Sequence, residues 1–269
     1  MRRRVDLGTV SLNLTLGVLA LLCLALLILP TAVVILVSFT SGFSLRFPPP
    51  GYSLRWYVGL LDAWQLQLAA LNSFKVATWT TFLSVLLGVA AALGIARSRL
   101  LAANLLDSLF MSPLILPGLA FGLSALIFFS MIGWQVSVLT LVIGHTIVCV
   151  PFVMRTTIAT LVQLDPVLLE SSASLGASRW YTFRRVILPL IGSGILAGAF
   201  LAFMSSFDNI PVSLFLRNAS TEMLPIRMWQ DLESLLDVRI AAVSGVLVFT
   251  TLVLMIIMER IAGLSKRMQ

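Results

Sequence analysis

The stretch Ser108–Met154 reads SLFMSPLILPGLAFGLSALIFFSMIGWQVSVLTLVIGHTIVCVPFVM, 47 residues without an Asp, Glu, Lys or Arg. A helix that crosses the hydrocarbon core of a bilayer needs about 20 mainly apolar residues. This stretch is therefore two spans, folded as a hairpin, and Gly133 marks the only plausible turn. Working outward, four more runs of similar character appear. Six segments result: Leu12–Ser38, Ala69–Ala96, Leu105–Met131, Val136–Thr160, Val186–Ser206 and Ile240–Met258. Pro30, Pro113, Pro117, Pro151 and Pro189 fall inside or at the ends of these runs. Proline is tolerated there because neighbouring helices re-satisfy the backbone groups it frees.

The composition agrees. Of 269 residues, 59% are hydrophobic and only 11% charged, against roughly 25% charged in a soluble domain. Such a chain cannot present a charged surface to water, and its apolar surface is most simply covered by lipid. The net charge of +7 would suggest nucleic acid in a soluble protein. Here the basic residues sit between apolar runs, as topology determinants do. The start, Met1-Arg2-Arg3-Arg4 followed by an apolar run, resembles a signal peptide. The run is far longer than an h-region of about 7–15 residues, so it is expected to stay as a first span. Cys23 and Cys149 lie inside apolar runs and read as small packed hydrophobes. With one histidine, His145, they supply no metal site. No linker divides the chain, and residues 1–269 are expected to form one transmembrane domain.

Six spans put both ends on one side. If that side is the cytoplasm, Arg2, Arg3, Arg4, Arg97, Arg99, Arg155, Arg179, Arg184, Arg185, Arg260, Lys266 and Arg267 lie inside. Arg46, Arg55, Lys75, Arg217, Arg227 and Arg239 lie outside, and this twelve-to-six bias obeys the positive-inside rule. Two outer loops have substance. The first, Thr40–Leu68, holds Pro48-Pro49-Pro50-Gly51, which excludes regular helix, and Trp56, Tyr57 and Trp64, which suit a membrane interface. The second, Pro211–Arg239, holds an amphipathic piece, Ile226–Leu236.

The loop between the fourth and fifth spans is longer than a spacer needs to be. Asp165-Pro166 starts a helix, with Asp as cap and Pro in the first turn. Gly176 stops it in the left-handed conformation, and Ser178 caps a second helix that runs through Arg184-Arg185 into the fifth span. Leu168, Leu169 and Leu175 give the short helix an apolar side. A docking knob for another protein is the reading preferred over an amphipathic helix resting on lipid headgroups.

Glu170-Ser171-Ser172, three residues, Gly176, nine residues, then Val186-Ile187-Leu188-Pro189 resembles the EAA loop of binding-protein-dependent ABC transporter permeases. That pattern has two alanines where this chain has Ser171 and Ser172, and isoleucine where it has Val186. The resemblance implies an all-α integral membrane protein of the type I ABC importer permease fold. Its six transmembrane helices would carry a short cytoplasmic coupling helix between helices 4 and 5. It implies coupling roles for Glu170, Ser171, Ser172, Ala173, Leu175 and Gly176. It also implies the partners: an ABC ATPase dimer that binds ATP and Mg, a second homologous permease, and a periplasmic substrate-binding protein. This chain would itself bind no cofactor and no nucleic acid, and would sit in the bacterial inner membrane with both termini cytoplasmic.

Local features resemble the second permease of spermidine/putrescine-type importers. They are Pro49–Tyr57, Asn72-Ser73, His145-Thr146 with Pro151-Phe152-Val153, Ser206-Phe207-Asp208-Asn209 and Leu224-Pro225. Importers of opines, 4-aminobutyrate and 2-aminoethylphosphonate share much of this pattern. The polyamine relatives often carry two adjacent acids where this chain has Asp208-Asn209.

Asp208 is the one acid placed near the membrane interior, about 34 Å up the fifth helix from Arg185 at the usual rise per residue. It is a candidate for the substrate pathway, as are Asn209, Ser206 and Trp56; Ser206, Trp56 and Trp229 could each line a path or bind a docking protein. The plainer reading of Asp208 is a helix cap or an ion pair with Arg217 or Arg239. His145 reads as a hydrogen-bonded packing residue rather than a proton relay. Gly194 and Gly198 form a GxxxG that brings helices close, with or without a partner subunit. The chain has no G-x-x-x-x-G-K-[ST] phosphate loop, so it is expected not to be an enzyme. An autonomous carrier or channel is the alternative, but it would want more buried ionisable groups than His145 and Asp208. An intramembrane enzyme would need a nucleophile–base or metal cluster that the chain lacks.

Overall fold

The computed structural model describes residues 7–97, 101–235 and 237–267. Arg2, Arg3, Arg4, Arg99 and Leu236 lie outside the described residues. Helices account for nearly all the regular structure: α1 (Leu7–Ser38), α2 (Arg55–Gly59), α3 (Trp64–Arg97), α4 (Leu101–Ile115), α5 (Gly118–Met131) and α6 (Val138–Val162) in the first part. Then come α7 (Pro166–Ser174), α8 (Arg179–Thr182), a π-helical turn (Phe183–Ile187), α9 (Leu188–Phe207), α10 (Ile210–Leu216), α11 (Leu224–Leu235) and α12 (Arg239–Arg267). Five are long and apolar enough to cross a membrane: Leu12–Ser38, Trp64–Ala96, Val138–Val162, Arg179–Phe207 and Arg239–Ile261.

The third expected span, Leu105–Met131, is not one rod. It breaks between Ile115 and Gly118, and its halves meet at 102°. Pro117 explains the break. Its ring disfavours helical geometry at Leu116, and its own ψ of 122° leaves the helical region. The hairpin of the charge-free stretch nevertheless forms. Gly133 turns at φ 76°, and the charges that bracket the stretch meet: Arg155 Nη2 donates to Asp107 Oδ2 at 2.9 Å. A second departure is α10, a seven-residue helix where an outer loop was expected from Pro211 onward.

Contacts divide the chain into two units. The first comprises residues 1–63 and 231–250. Here the segment after α1 doubles back on itself. Thr40 and Tyr52 form an antiparallel bridge, and Ser41 N donates to Gly51 O at 2.9 Å. The Tyr57 and Ser38 hydroxyls share a hydrogen bond of 2.7 Å. Gly245 lies against the Tyr57 hydroxyl, with no room for a Cβ. Arg55 stacks over the rings of Phe43 and Trp56, 3.9 and 4.6 Å from their centroids.

The second unit comprises residues 64–230 and 251–269. Its core is α3, α6 and α9, packed closely through small residues. In the absence of a strong hydrophobic drive inside lipid, such close approach is what holds helices together. A Cβ on Gly88 of α3 would lie 3.1 Å from the Val150 carbonyl oxygen of α6. Against α9, the contacts on α6 step regularly: Thr156 at Gly194, Val153 at Gly198, Cys149 at Ala202 and His145 at Ser206. Four residues on one helix match four on the other, so the GxxxG is used within this chain. Asn72 and Ser73 of α3 hold the segment before α11. Asn72 Nδ2 donates to the carbonyls of Ser220 and Glu222, and Leu224 N donates to Ser73 Oγ at 2.9 Å.

Candidate functional site

The first candidate is the segment around α7. Asp165 caps it, its side chain accepting from Val167 N at 2.9 Å, with Pro166 in the first turn. Its far end is a complete Schellman closure. Gly176 N donates to Ala173 O at 2.9 Å, and Ala177 N to Ser172 O at 3.1 Å, around Gly176 at φ 76°. Ser178 then caps α8 through Tyr181 N. The Ser172 hydroxyl bonds that of Thr182 at 2.8 Å, which clasps α7 to the helix leading into α9. The segment is thus rigid at both ends yet buries none of its own residues. Glu170, Ser171, Ala173, Leu175 and Gly176 are exposed and only Ser172 is half-buried. Leu175 is 87% exposed, and Val167, Leu168, Trp180 and Tyr181 also face outward. The segment therefore presents an exposed apolar surface.

The second candidate is the break between α9 and α10. Asp208 ends α9, with its backbone N donating to Met204 O at 3.1 Å. Asn209 starts α10, its Oδ1 accepting from Val212 N at 3.0 Å. Neither arginine weighed as a partner takes Asp208: Arg217 lies 3.6 Å from Glu222, and Arg239 lies 2.6 Å from Asp237. Burial favours protonation of Asp237, but the hydrogen bonds and charge of Arg239 outweigh it and hold its pKa below the ordinary carboxylate value. Asp208 itself is exposed. α10 runs from Asp208 toward the Gly133 end of the unit, since Pro211 packs on Gly122 of α5 and Asn218 Nδ2 donates to Val136 O at 2.9 Å. Asp208 therefore sits one short helix, about 10 Å, in from that end.

Of the other candidates, Ser206 is fully buried and hydrogen-bonded to His145. His145 is likewise fully buried, with both ring nitrogens partnered, which is the packing role read from the sequence. Trp56 lies in the first unit, its Nε1 donating to Gly42 O at 3.1 Å. Trp229, on α11, is 56% exposed.

Residues 84–267, well over half the chain, match the family described as binding-protein-dependent transport system inner membrane component. The chain belongs to this family. It is an EAA-loop permease of an ABC importer, related to the spermidine/putrescine type. The Escherichia coli (strain K12) spermidine/putrescine transport system permease protein PotC is 28% identical over 239 residues, 88% of this chain and 90% of the relative. The Haemophilus influenzae protein of the same name is 26% identical over 240 residues, 88% and 92% of the two chains. The E. coli putrescine permease protein PotI is 28% identical over 221 residues, 80% and 78%. Among solved structures, a chain of a bacterial ABC transporter involved in the import of the acidic polysaccharide alginate superposes with a TM-score of 0.72. Its identity is 14%, with 97% of each chain covered. A chain of the inward-facing MetNI methionine ABC transporter gives 0.62 at 16% identity, covering 76% of this permease and 97% of that chain. These likenesses extend the shared fold over the whole permease. It is a multi-pass membrane subunit of a binding-protein-dependent importer, and its family and fold are those of permeases that carry no ATPase.

Proposed function

We propose that this permease moves a small amine-bearing solute, a polyamine such as spermidine or putrescine or a related amino compound, and that Asp208 is the charge the solute meets. The observation that carries this reading is Asp208 itself: an acid at a helix break, with neither Arg217 nor Arg239 on it. A carboxylate in a partly dehydrated path attracts a cation more strongly than the same group in water and repels an anion. Similarity to the PotC and PotI proteins over most of the chain supports the choice of cation.

In the same reading residues 1–269 act as one transmembrane domain with six spans, the bent α4–α5 pair serving as one, and with both termini in the cytoplasm. α7 is the coupling helix. Glu170, Ser171, Ser172, Ala173, Leu175 and Gly176 seat it on one subunit of an ATPase dimer, and closure of that dimer on ATP opens the path outward. A second homologous permease completes the pathway, and a periplasmic binding protein delivers the solute. Asn209, Ser206 and Trp56 belong to or border the path.

The test is uptake of a labelled panel of polyamines, 4-aminobutyrate, a neutral sugar and an organic anion in cells lacking other polyamine importers. The wild type takes up an amine-bearing solute, and Asp208→Asn lowers that uptake about tenfold or more at unchanged protein level, the order expected for one desolvated charge contact. Preferred uptake of the sugar or the anion would remove the amine reading, and unchanged uptake in Asp208→Asn would return Asp208 to structure.

A further inference from the structure

His145 reaches both sides of the α9–α10 break. Its Nδ1 lies 2.8 Å from Ser206 Oγ, two residues before Asp208, and its Nε2 lies 3.0 Å from Ser213 Oγ, five residues after it. All three side chains are fully buried. A neutral imidazole donates from one nitrogen and accepts at the other, and a hydroxyl can do either, so one ring satisfies both serines. The three groups form a closed polar staple between α6 and the two helices that meet at Asp208. The turn also carries its own short-range bonds, Asp208 N to Met204 O, Asn209 N to Ser206 O and Val212 N to Asn209 Oδ1, and Pro211 just after it packs on Gly118 and Gly122 of α5. No hydrogen bond or ion pair to another described residue fixes the Asp208 carboxylate, so its position follows the backbone of the turn.

We propose that His145 is a positioning residue for solute recognition, setting through Ser206 and Ser213 where the Asp208 carboxylate stands. The inference rests on Asp208 meeting the solute. It ties the break to α6, because one ring holds the last turn of α9 and the middle of α10 together.

The test measures uptake of labelled spermidine and putrescine by the assembled importer. His145→Leu raises KM for the cation roughly tenfold, the order expected when a buried hydrogen bond is lost, and leaves the amount of assembled complex unchanged. Ser213→Ala shifts KM in the same direction by less. His145→Gln, whose amide keeps one donor and one acceptor, restores most of the wild-type value. In a double-mutant cycle, adding Asp208→Asn to His145→Leu changes KM little further, because the two act on one contact. If His145→Leu fails to assemble, the cycle is run with Ser213→Ala. Wild-type KM in both His145→Leu and Ser213→Ala, or full additivity with Asp208→Asn, overturns the proposal. No effect of Asp208→Asn alone overturns the solute reading instead, so the two failures are distinguishable.

Discussion

Gly198 has no room for a side chain. A Cβ there would stand 2.7 Å from Val153 Cα, a backbone atom that cannot swing aside. Gly198→Leu should therefore part α9 from α6 and cost about 1–3 kcal/mol or more. Gly192, six residues earlier on the same helix, has nothing within 4 Å of the same position, and Gly192→Ala should be neutral. Thermal stability of the detergent-solubilised protein checks the pair, and equal stability of Gly198→Leu and wild type would contradict the packing. The GxxxG was visible in the sequence, but its partner was not, because that depends on which helix lies opposite. Asp208 was likewise visible as a lone acid, while the pairing of Arg217 and Arg239 with other acids became plain only in three dimensions. The Asp107–Arg155 pair and the His145 bridge join residues 48 and more apart, and no local pattern announces them. The Asp237 carboxylate, held below its ordinary pKa by Arg239, adds stability that is present above the unfolded-state pKa and is lost as pH falls through the folded one.

The ends of the α7 segment were readable because caps are local chemistry, while the Ser172–Thr182 clasp and the π-helical turn at Phe183–Ile187 were not. Asp165-Pro166 opens it, Gly176 closes it and Ser178 opens the next helix, each through bonds to residues within five positions. Open space surrounds Gly176, so a side chain there costs conformational strain alone, about 1–2 kcal/mol for an ordinary residue. Gly176→Asn should be tolerated, since Asn visits the left-handed region readily, while Gly176→Val should not. Substrate-stimulated ATP hydrolysis by the assembled importer is the readout, and equal activity in both variants would show that the closure does not matter to coupling. α10 carries the same kind of signal, Asn209 as cap with Pro211 in the first turn. Seven residues are too few to show a period, so the hydropathy of the stretch does not reveal it. The bend at Pro117 was masked for the opposite reason: proline is common in membrane helices, and the sequence does not say which one breaks its helix.

Across the chain, five spanning helices and one bent pair agree with the hydropathy of the sequence, because a bilayer sets one length for every span. Sidedness rests on the distribution of Arg and Lys alone. With Cys23 and Cys149 replaced, a cysteine at Ser220 should be labelled from outside the cell and one at Ala103 should not; the reverse pattern would invert the topology. We propose that this chain transports only as part of an ATP-driven assembly, with α7 as its link to the ATPase. Reconstitution into vesicles is the test. With the ATPase, the second permease and the binding protein present, labelled amine should enter only when hydrolysable ATP is supplied on the α7 side, and Glu170→Ala or Gly176→Val should abolish entry without dissolving the complex. Entry driven by an ion gradient through this chain alone, with no ATPase present, would contradict the account.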